Sequence, residues 1–409
     1  MKCVKIFSMV CMFSIISIAS YAAHEHDWNA DTLTNGFGGL NDALEDSGIE
    51  VGFCLTSIYQ RNTKGGLSTN NRKGEFSGSY DLEMTADLQR LLGIEGVIFI
   101  HGEGGWTDSE GIDGTSVGSV FGVNADAIGN RSLDIVELFY EVPLGDRFTL
   151  TIGKIDFTGY FDASAFANDE TAQFLNGALV NNPSIPFPDY SLGIIGTYNL
   201  SDDWYLMAGA ADAQADGRET GFNTAFHDED YFFFIVESGI ARQFESETGS
   251  LQGTYRVGLW YDPQPKAHSD SSKEYRDDTG LYISCDQEFI KENDIPEDKQ
   301  GLGGFFRYGY APSKTNDLTN YYSFGAQYQG LIDGRDDDVL GLAYAHGDFS
   351  DKADATYTED YESAAELYYS AQITPWMTLS PSVQYITNPG GNEDVSDAVV
   401  CGVRALIVF

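Results

Sequence analysis

Cations are scarce in this chain of 409 residues: 23 Lys and Arg stand against 63 Asp and Glu, a formal charge of −40. So acidic a balance excludes nucleic acid as a partner, because phosphates need cationic groups to meet them. Long apolar runs are also scarce. The one that exists, about residues 6–18, follows Lys2 and Lys5 and precedes the small residues Ser20 and Ala22. That layout reads as a secretory signal peptide over residues 1–22, cut after Ala22 or Ala23. Loss of its two lysines takes the mature chain from −40 to −42. Beyond it no stretch of ~18 apolar residues offers a membrane-spanning helix. Cysteine is sparse too. Cys54, Cys285 and Cys401 follow the leader, and an odd number at wide spacing is neither a disulfide framework nor a zinc pattern. They read as small buried or lipid-facing hydrophobes. Cys11 is preceded by Met9 and Val10, where a lipoprotein signal wants small residues.

Catalytic signatures are missing as well. The chain has no HExxH or phosphate loop, and it is not expected to be an enzyme. Its six histidines, at 24, 26, 101, 227, 268 and 346, show no metal-ligand spacing except His24 and His26, which read as the start of the mature chain. Asp336, Asp337 and Asp338 lack the alternating ligands and following Glu of an EF-hand and fit a turn better. Neither a metal nor a cofactor is expected.

What the chain has in quantity is Gly (45), Phe (26) and Tyr (24), which argue against the disorder that strong acidity alone would suggest. Its main signal is period two. Glu83, Thr85, Asp87 and Gln89 alternate with Leu82, Met84, Ala86 and Leu88; Glu366, Tyr368, Ser370 and Gln372 alternate with Leu367, Tyr369, Ala371 and Ile373. Sixteen such strands begin near 49, 76, 94, 132, 146, 190, 203, 231, 250, 278, 301, 319, 337, 359, 377 and 396. Most are long enough for tilted membrane strands, which need roughly 9–11 residues, against about 5–6 in soluble sheets. Connections alternate. Short turns fall at 91–93, 143–146, 201–202, 246–249, 332–338 and 374–376, and longer loops at 62–75, 105–131, 156–189, 212–230 and 262–277. The fold class expected is an all-β, antiparallel transmembrane barrel of about sixteen strands, with short turns on the periplasmic side and long loops outside. The connection 290–300 is longer than its place predicts.

The final strand supports closure. Cys401, Val403, Ala405, Ile407 and the terminal Phe409 form one apolar row, a pattern that outer-membrane assembly machinery reads. Trp260, Tyr261, Tyr308, Tyr310, Tyr321, Tyr322, Trp376 and Tyr385 cluster at strand ends, as interfacial girdles do. The barrel is expected over residues 49–409. Residues 23–48 would form a periplasmic segment in which 33–47 could make a short helix, weakened by Gly36, Gly38 and Gly39. A cap, a plug and a plain connection are all open readings.

Several stretches together resemble the carbohydrate-selective porin family of the OprB type. They are Gly36-Phe37-Gly38-Gly39-Leu40; Asp87-Leu88-Gln89-Arg90-Leu91-Leu92-Gly93; Gly301 through Pro312 (GLGGFFRYGYAP); Gly330 through Asp338 (GLIDGRDDD); Gln372 through Met377 (QITPWM); and Gln384 through Gly391 (QYITNPGG). They span nearly all of the mature chain. The resemblance implies a 16-stranded barrel that passes glucose-type sugars down their gradient, with small carbohydrates and outer-membrane lipid as partners. The chain is more acidic than that family leads one to expect, and many matched stretches are turns.

A sugar-passing pore needs weak, multiple hydrogen bonding at its narrow point. Arg256, Arg307 and Arg404 each alternate against a bulky apolar row, so they should face water rather than lipid, where a charge costs about 2–4 kcal/mol at the midplane. The same phase sends Glu83, Asp87, Glu237 and Glu366 inward. The longest loop, 156–189, carries Tyr160, Phe161, Asp162, Asn168 and Asp169 as constriction candidates; an outer lid is the alternative. Rival functions are a general cation-leaning diffusion pore, an outer-membrane enzyme and an adhesin barrel. A monomer and a homotrimer are both open.

Overall fold

A computed structural model of the chain describes residues 31–409 except 72, 109–110, 227–228, 268–273, 296–297 and 353–356. The signal peptide, Cys11 and the His24–His26 pair lie outside the described residues.

Sixteen antiparallel strands close on themselves. They are β1 (Ile49–Gly66), β2 (Gly74–Asp87), β3 (Val97–Trp106), β4 (Arg131–Leu144), β5 (Phe148–Ile155), β6 (Ser191–Ser201), β7 (Trp204–Asp212), β8 (Phe232–Ser246) and β9 (Gly249–Asp262), then β12 (Asp278–Lys291), β13 (Gly301–Tyr310), β14 (Leu318–Gln329), β15 (Val339–Phe349), β16 (Tyr361–Thr374), β17 (Met377–Thr387) and β18 (Ser396–Val408). A two-stranded ribbon, β10 (Lys266–Ala267) with β11 (Glu274–Tyr275), stands in the loop after β9. Every barrel strand begins within three residues of its expected position. Closure is made by β1 against β18, from Cys54 opposite Val408 to Gly66 opposite Ser396. The amide of Phe409 donates to Phe53 O at 2.9 Å and the two rings lie 5.0 Å apart, so the last residue seals the periplasmic end of the seam. The closed barrel therefore has no edge strand among the described residues to template aggregation.

The period-two pattern divides inside from outside. In β16, Glu362, Ala364, Glu366 and Tyr368 are buried on the inner face, while Leu367 and Ile373 are exposed on the outer one. Sixteen-stranded walls leave an aqueous channel unless something enters it. Here two loops enter.

Short connections gather at one rim. Asp87, expected on the inner wall, instead ends β2 and caps a five-residue helix, α2 (Leu88–Leu92), accepting from the amides of Gln89 and Arg90 at 2.9 and 3.1 Å. Its alternation with Met84 and Ala86 stops where the chain turns, and Asp is a favoured N-cap. Gly93 closes α2 in the left-handed region, φ 73°. In the turn of residues 330–338 the Asp338 carboxylate accepts from Arg335 Nε and Nη2, both at 2.7 Å, and from the Gln372 amide. Burial alone would raise that carboxyl; the donors outweigh it and hold the group below the usual range. At the same rim α1 (Asn35–Ser47) precedes β1, with Gly36, Phe37, Gly38 and Gly39 at positive φ, so its helical turns run only from Leu40. None of its residues is buried, which is not the packing of a plug.

Candidate functional site

The lumen is narrowed from the other rim. The loop of residues 156–190 turns inward because apolar groups recur along it wherever it meets the wall. Phe157 and Phe161 stack at 5.7 Å and are buried with Ile195, Met207, Phe233 and Ile235. Phe174, Leu179 and Val180 are buried with Phe305, Tyr321 and Tyr368 on the opposite wall. Burying each such side chain contributes about 1.5–3 kcal/mol.

Polar wall residues then fix its course. The amide of Asp162 donates to Glu237 Oε2 at 2.9 Å, and Ser164 Oγ donates to Asp286 Oδ1 at 2.5 Å. The amides of Leu175 and Asn176 donate to Glu366 at 3.0 and 2.8 Å. Arg307 donates to the carbonyls of Leu179, Val180 and Asp162 at 3.0, 3.1 and 3.0 Å. Arg404 donates to those of Glu170 and Gln173, both at 2.8 Å. A second loop, residues 107–130, enters beside it. Glu362 accepts from the amides of Val120 and Phe121, and Gln60 and Gln384 both donate to Val123 O at 2.7 and 2.8 Å. The two loops join through Ala125 N to Leu175 O and Gly177 N to Gly122 O, at 2.8 and 2.9 Å.

The motif of β13 explains how the loop lies so close. Its inward residues are Gly303, Phe305, Arg307 and Gly309. A Cβ at Gly303 would collide with the Phe166 ring, and one at Gly309 with Ser184 and Asn182. Two bare positions admit the loop, and the arginine between them grips it.

All three arginines point inward, but the expectation that they face water fails for two. Arg307 and Arg404 are each 1% exposed, with loop carbonyls in place of solvent. Arg256 pairs with Asp286 at 2.8 Å and is partly accessible. Glu237 also accepts from Tyr205 and Tyr282, at 2.6 and 2.8 Å. Glu83 stands half-buried on the inner face of β2, opposite Gly52 and His101. Among the loop candidates, Phe161 and Asp162 are buried anchors. Burial raises the Asp162 carboxyl, with the Arg307 guanidinium opposing. Tyr160 packs edge-on to Phe139, while Asn168 and Asp169 remain half-buried at the loop's inner turn.

A further polar row follows the same alternation. Asp81, His101, Glu103 and Glu137 share the inward phase of β2, β3 and β4 with Glu83. His101 Nε2 lies 3.0 Å from Asp81 and Nδ1 3.2 Å from Glu137; Arg131 donates to Glu103 at 3.1 Å. Asp126, from the second inward loop, is buried nearby. Burial pushes its carboxyl well up, and the charges of Asp81, Glu170 and Glu103 push it further. Asp81 sits two residues from Glu83, and Glu362 four from Glu366, so the same phase count would have found both.

The profile of the carbohydrate-selective porin, OprB family, matches residues 72–409. The chain belongs to that family. Porin B of Pseudomonas aeruginosa is 22% identical over 98% of this chain and 97% of its own length. The putative porin QuiX of Acinetobacter baylyi is 22% identical over 93% and 94%. The high-pH structure of Pseudomonas putida OprB superposes with a TM-score of 0.80 at 18% identity, covering 93% of this chain and 99% of that one. The chain is therefore an OprB-family porin, a multi-pass β-barrel of the bacterial outer membrane through which small carbohydrates diffuse. In this OprB-family porin, three of the stretches that carry the resemblance have distinct places: 87–93 and 330–338 form turns at one rim, and 301–312 contains the loop-gripping strand β13.

Proposed function

We propose that solutes cross this porin along the polar row of β2, β3 and β4, between that wall and the loop turn at residues 168–173. The observation that carries this reading is the distribution of side chains. Asp81, Glu83, His101, Glu103, Glu137 and Arg131 lie on or beside adjacent inward positions, whereas the rest of the inner wall is largely packed against loop side chains. Carboxylates accept from sugar hydroxyls, while Arg131 and His101 supply donors. Solvent competes at the half-buried Asp81 and Glu83, so the affinity stays weak enough for release. In this reading Glu83, Asn168 and Asp169 meet the solute. Arg307, Arg404, Glu237 and Glu366 act earlier, by holding the loop that sets the width, and Arg256 does so through Asp286.

A cation-leaning pore is the second reading, favoured by the excess of carboxylates over cations in that same row. The closed wall makes one protomer a complete pore, whether it stands alone or in a homotrimer. The strand ending at Phe409 is the segment we assign to recognition by the barrel-assembly machinery.

Liposome swelling tests the route. Proteoliposomes of the parent should swell faster in isosmotic hexose than in a neutral amino acid of similar size. Glu83→Gln with Asp81→Asn should shrink that difference while leaving the loop anchors intact. Equal rates in the parent would remove sugar preference from this wall; an unchanged difference in the double variant would move the route elsewhere.

A further inference from the structure

Lys154 is the penultimate residue of β5 and stands directly opposite Leu138 and Leu192, so its side chain leaves the barrel on the lipid side. Leu138 and Ile152 beside it are exposed, as lipid-facing residues are. A bare ammonium there would be unfavourable. Yet Lys154 is buried, because Nζ donates to Gly217 O and Glu219 O, both at 2.7 Å, and to Ile135 O at 3.0 Å. Gly217 and Glu219 belong to the loop between β7 and β8. That loop has folded over the outer surface of the wall instead of rising away from it.

Its sequence permits this. Gly217, Gly221 and Ala225 recur every fourth residue and are buried. A Cβ at Gly217 would press on Asp189 and Tyr190, and one at Gly221 would come 3.2 Å from Leu192 Cβ. Internal bonds keep the segment compact: Ala225 N donates to Gly221 O at 2.9 Å, and Gly217 N donates to Asp189 at 3.2 Å. The opposite side of the same segment carries Phe222 and Phe226, 71% and 68% exposed. The Phe226 ring lies 6.4 Å from that of Phe232, which begins the outward row of β8. The two aromatics thus extend the barrel's own lipid-facing surface.

We propose that residues 217–226 form a flap pinned by Lys154 that seats Phe222 and Phe226 in the outer-leaflet boundary between headgroups and acyl chains. The occupant is lipid, because the flap continues a face already lined by Phe232, Phe234 and Val236 along β8. A second copy is the less suitable partner, because it would bring the same uncompensated acidity.

The full-length porin carrying Phe222→Trp, reconstituted in phosphatidylcholine vesicles, tests this against the parent as background. The added tryptophan should lose most of its emission in vesicles whose lipid is brominated near the headgroup end of the chains, and should resist aqueous acrylamide. Phe226→Trp should behave alike. Lys154→Met, which leaves an apolar side chain on the lipid face, should restore acrylamide quenching at position 222 while the barrel keeps its compact gel mobility. Quenching by acrylamide alone in the Lys154-containing protein would place the flap in water. Shielding from both quenchers would make it a contact between copies. Lipid quenching that persists in Lys154→Met would remove the pin. Each of these results overturns the proposal.

Discussion

Arg307 holds five donors and no acceptor within a wall that offers it almost no water. Three of its contacts are loop carbonyls, so the residue is a clamp on the backbone of residues 162–180 rather than one half of a simple ion pair. Hydrogen bonds to a charged group contribute about 1.5–3 kcal/mol each, and their loss leaves buried carbonyls unpaired. Arg307→Met should therefore lower the unfolding temperature in detergent and raise single-channel conductance as the loop loosens. Arg404→Met should do the same through the turn at 170–173. A conductance unchanged in both variants would show that apolar packing alone sets the width. Asp126 contributes one pH dependence among the buried loop carboxyls. Its folded-state carboxyl is raised by burial and by neighbouring acids, so the folded protein binds its proton more tightly than the unfolded chain. Stability should then fall as pH climbs above the usual carboxylate range toward the raised value. Asp126→Asn mimics the protonated group. It should flatten that part of the stability curve, as followed by thermal unfolding at a series of pH values, and an unaltered slope would assign the dependence to other groups.

β13 shows how an element is specified by what must come near it. A valine at Gly303 would suit a strand by propensity, yet its side chain would occupy the place of the Phe166 ring. Gly303→Val should keep the barrel folded, since the substitution lies on a strand with intact pairing. It should displace residues 164–168 and increase conductance and its noise; a channel identical to the parent would mean that Phe166 repacks without moving the loop. The strands themselves were legible from alternation because each separates lipid from lumen at every step, and a slip of one residue would invert both faces. The seam at Phe409 was legible for the same reason. The loop positions were not. Phe161 and Asp162 look like exposed loop residues until Phe233 and Arg307, far away in sequence, are brought to them. Period counting gives a side and no depth, so it sets Arg307 and Arg404 in water although both lie under a loop. Asp87 escaped because a strand's phase continues in a pattern after the chain has turned. The polar row of β2, β3 and β4 was within reach of the same count, but His101 and Glu103 are separated from Asp81 and Glu83 by a turn, and only pairing across strands aligns them.

At the scale of the whole molecule the open question is what a formal charge of −40 does to a pore for neutral sugars. Carboxylates used as loop anchors, such as Glu362 and Glu366, are occupied by backbone amides and lie away from water. In the polar row Glu103 and Glu137 are buried as well, while Asp81, its side chain 14% exposed, and the half-buried Glu83 stay within reach of water. The field that a solute feels is thus set by a few acids beside the path and by the acidic outer loops, with Arg131 and His101 as local opposition. Neutral sugars cross such a field without penalty, while small anions are repelled and small cations enriched. The enrichment must depend on salt, because the screening length is about 10 Å at 0.1 M and about 3 Å at 1 M. Reversal potentials across a planar bilayer under a potassium chloride gradient should therefore give a cation-to-anion permeability ratio above one in dilute salt, falling toward one in concentrated salt. Asp81→Asn with Glu83→Gln should lower the ratio in dilute salt and leave the concentrated-salt value where it was. Should the double variant keep the parental ratio, the selectivity arises at the outer loops. A parental preference for anions at low salt would mean that Arg131 and His101 govern the path, and the sugar would then be met chiefly by donors rather than by carboxylates.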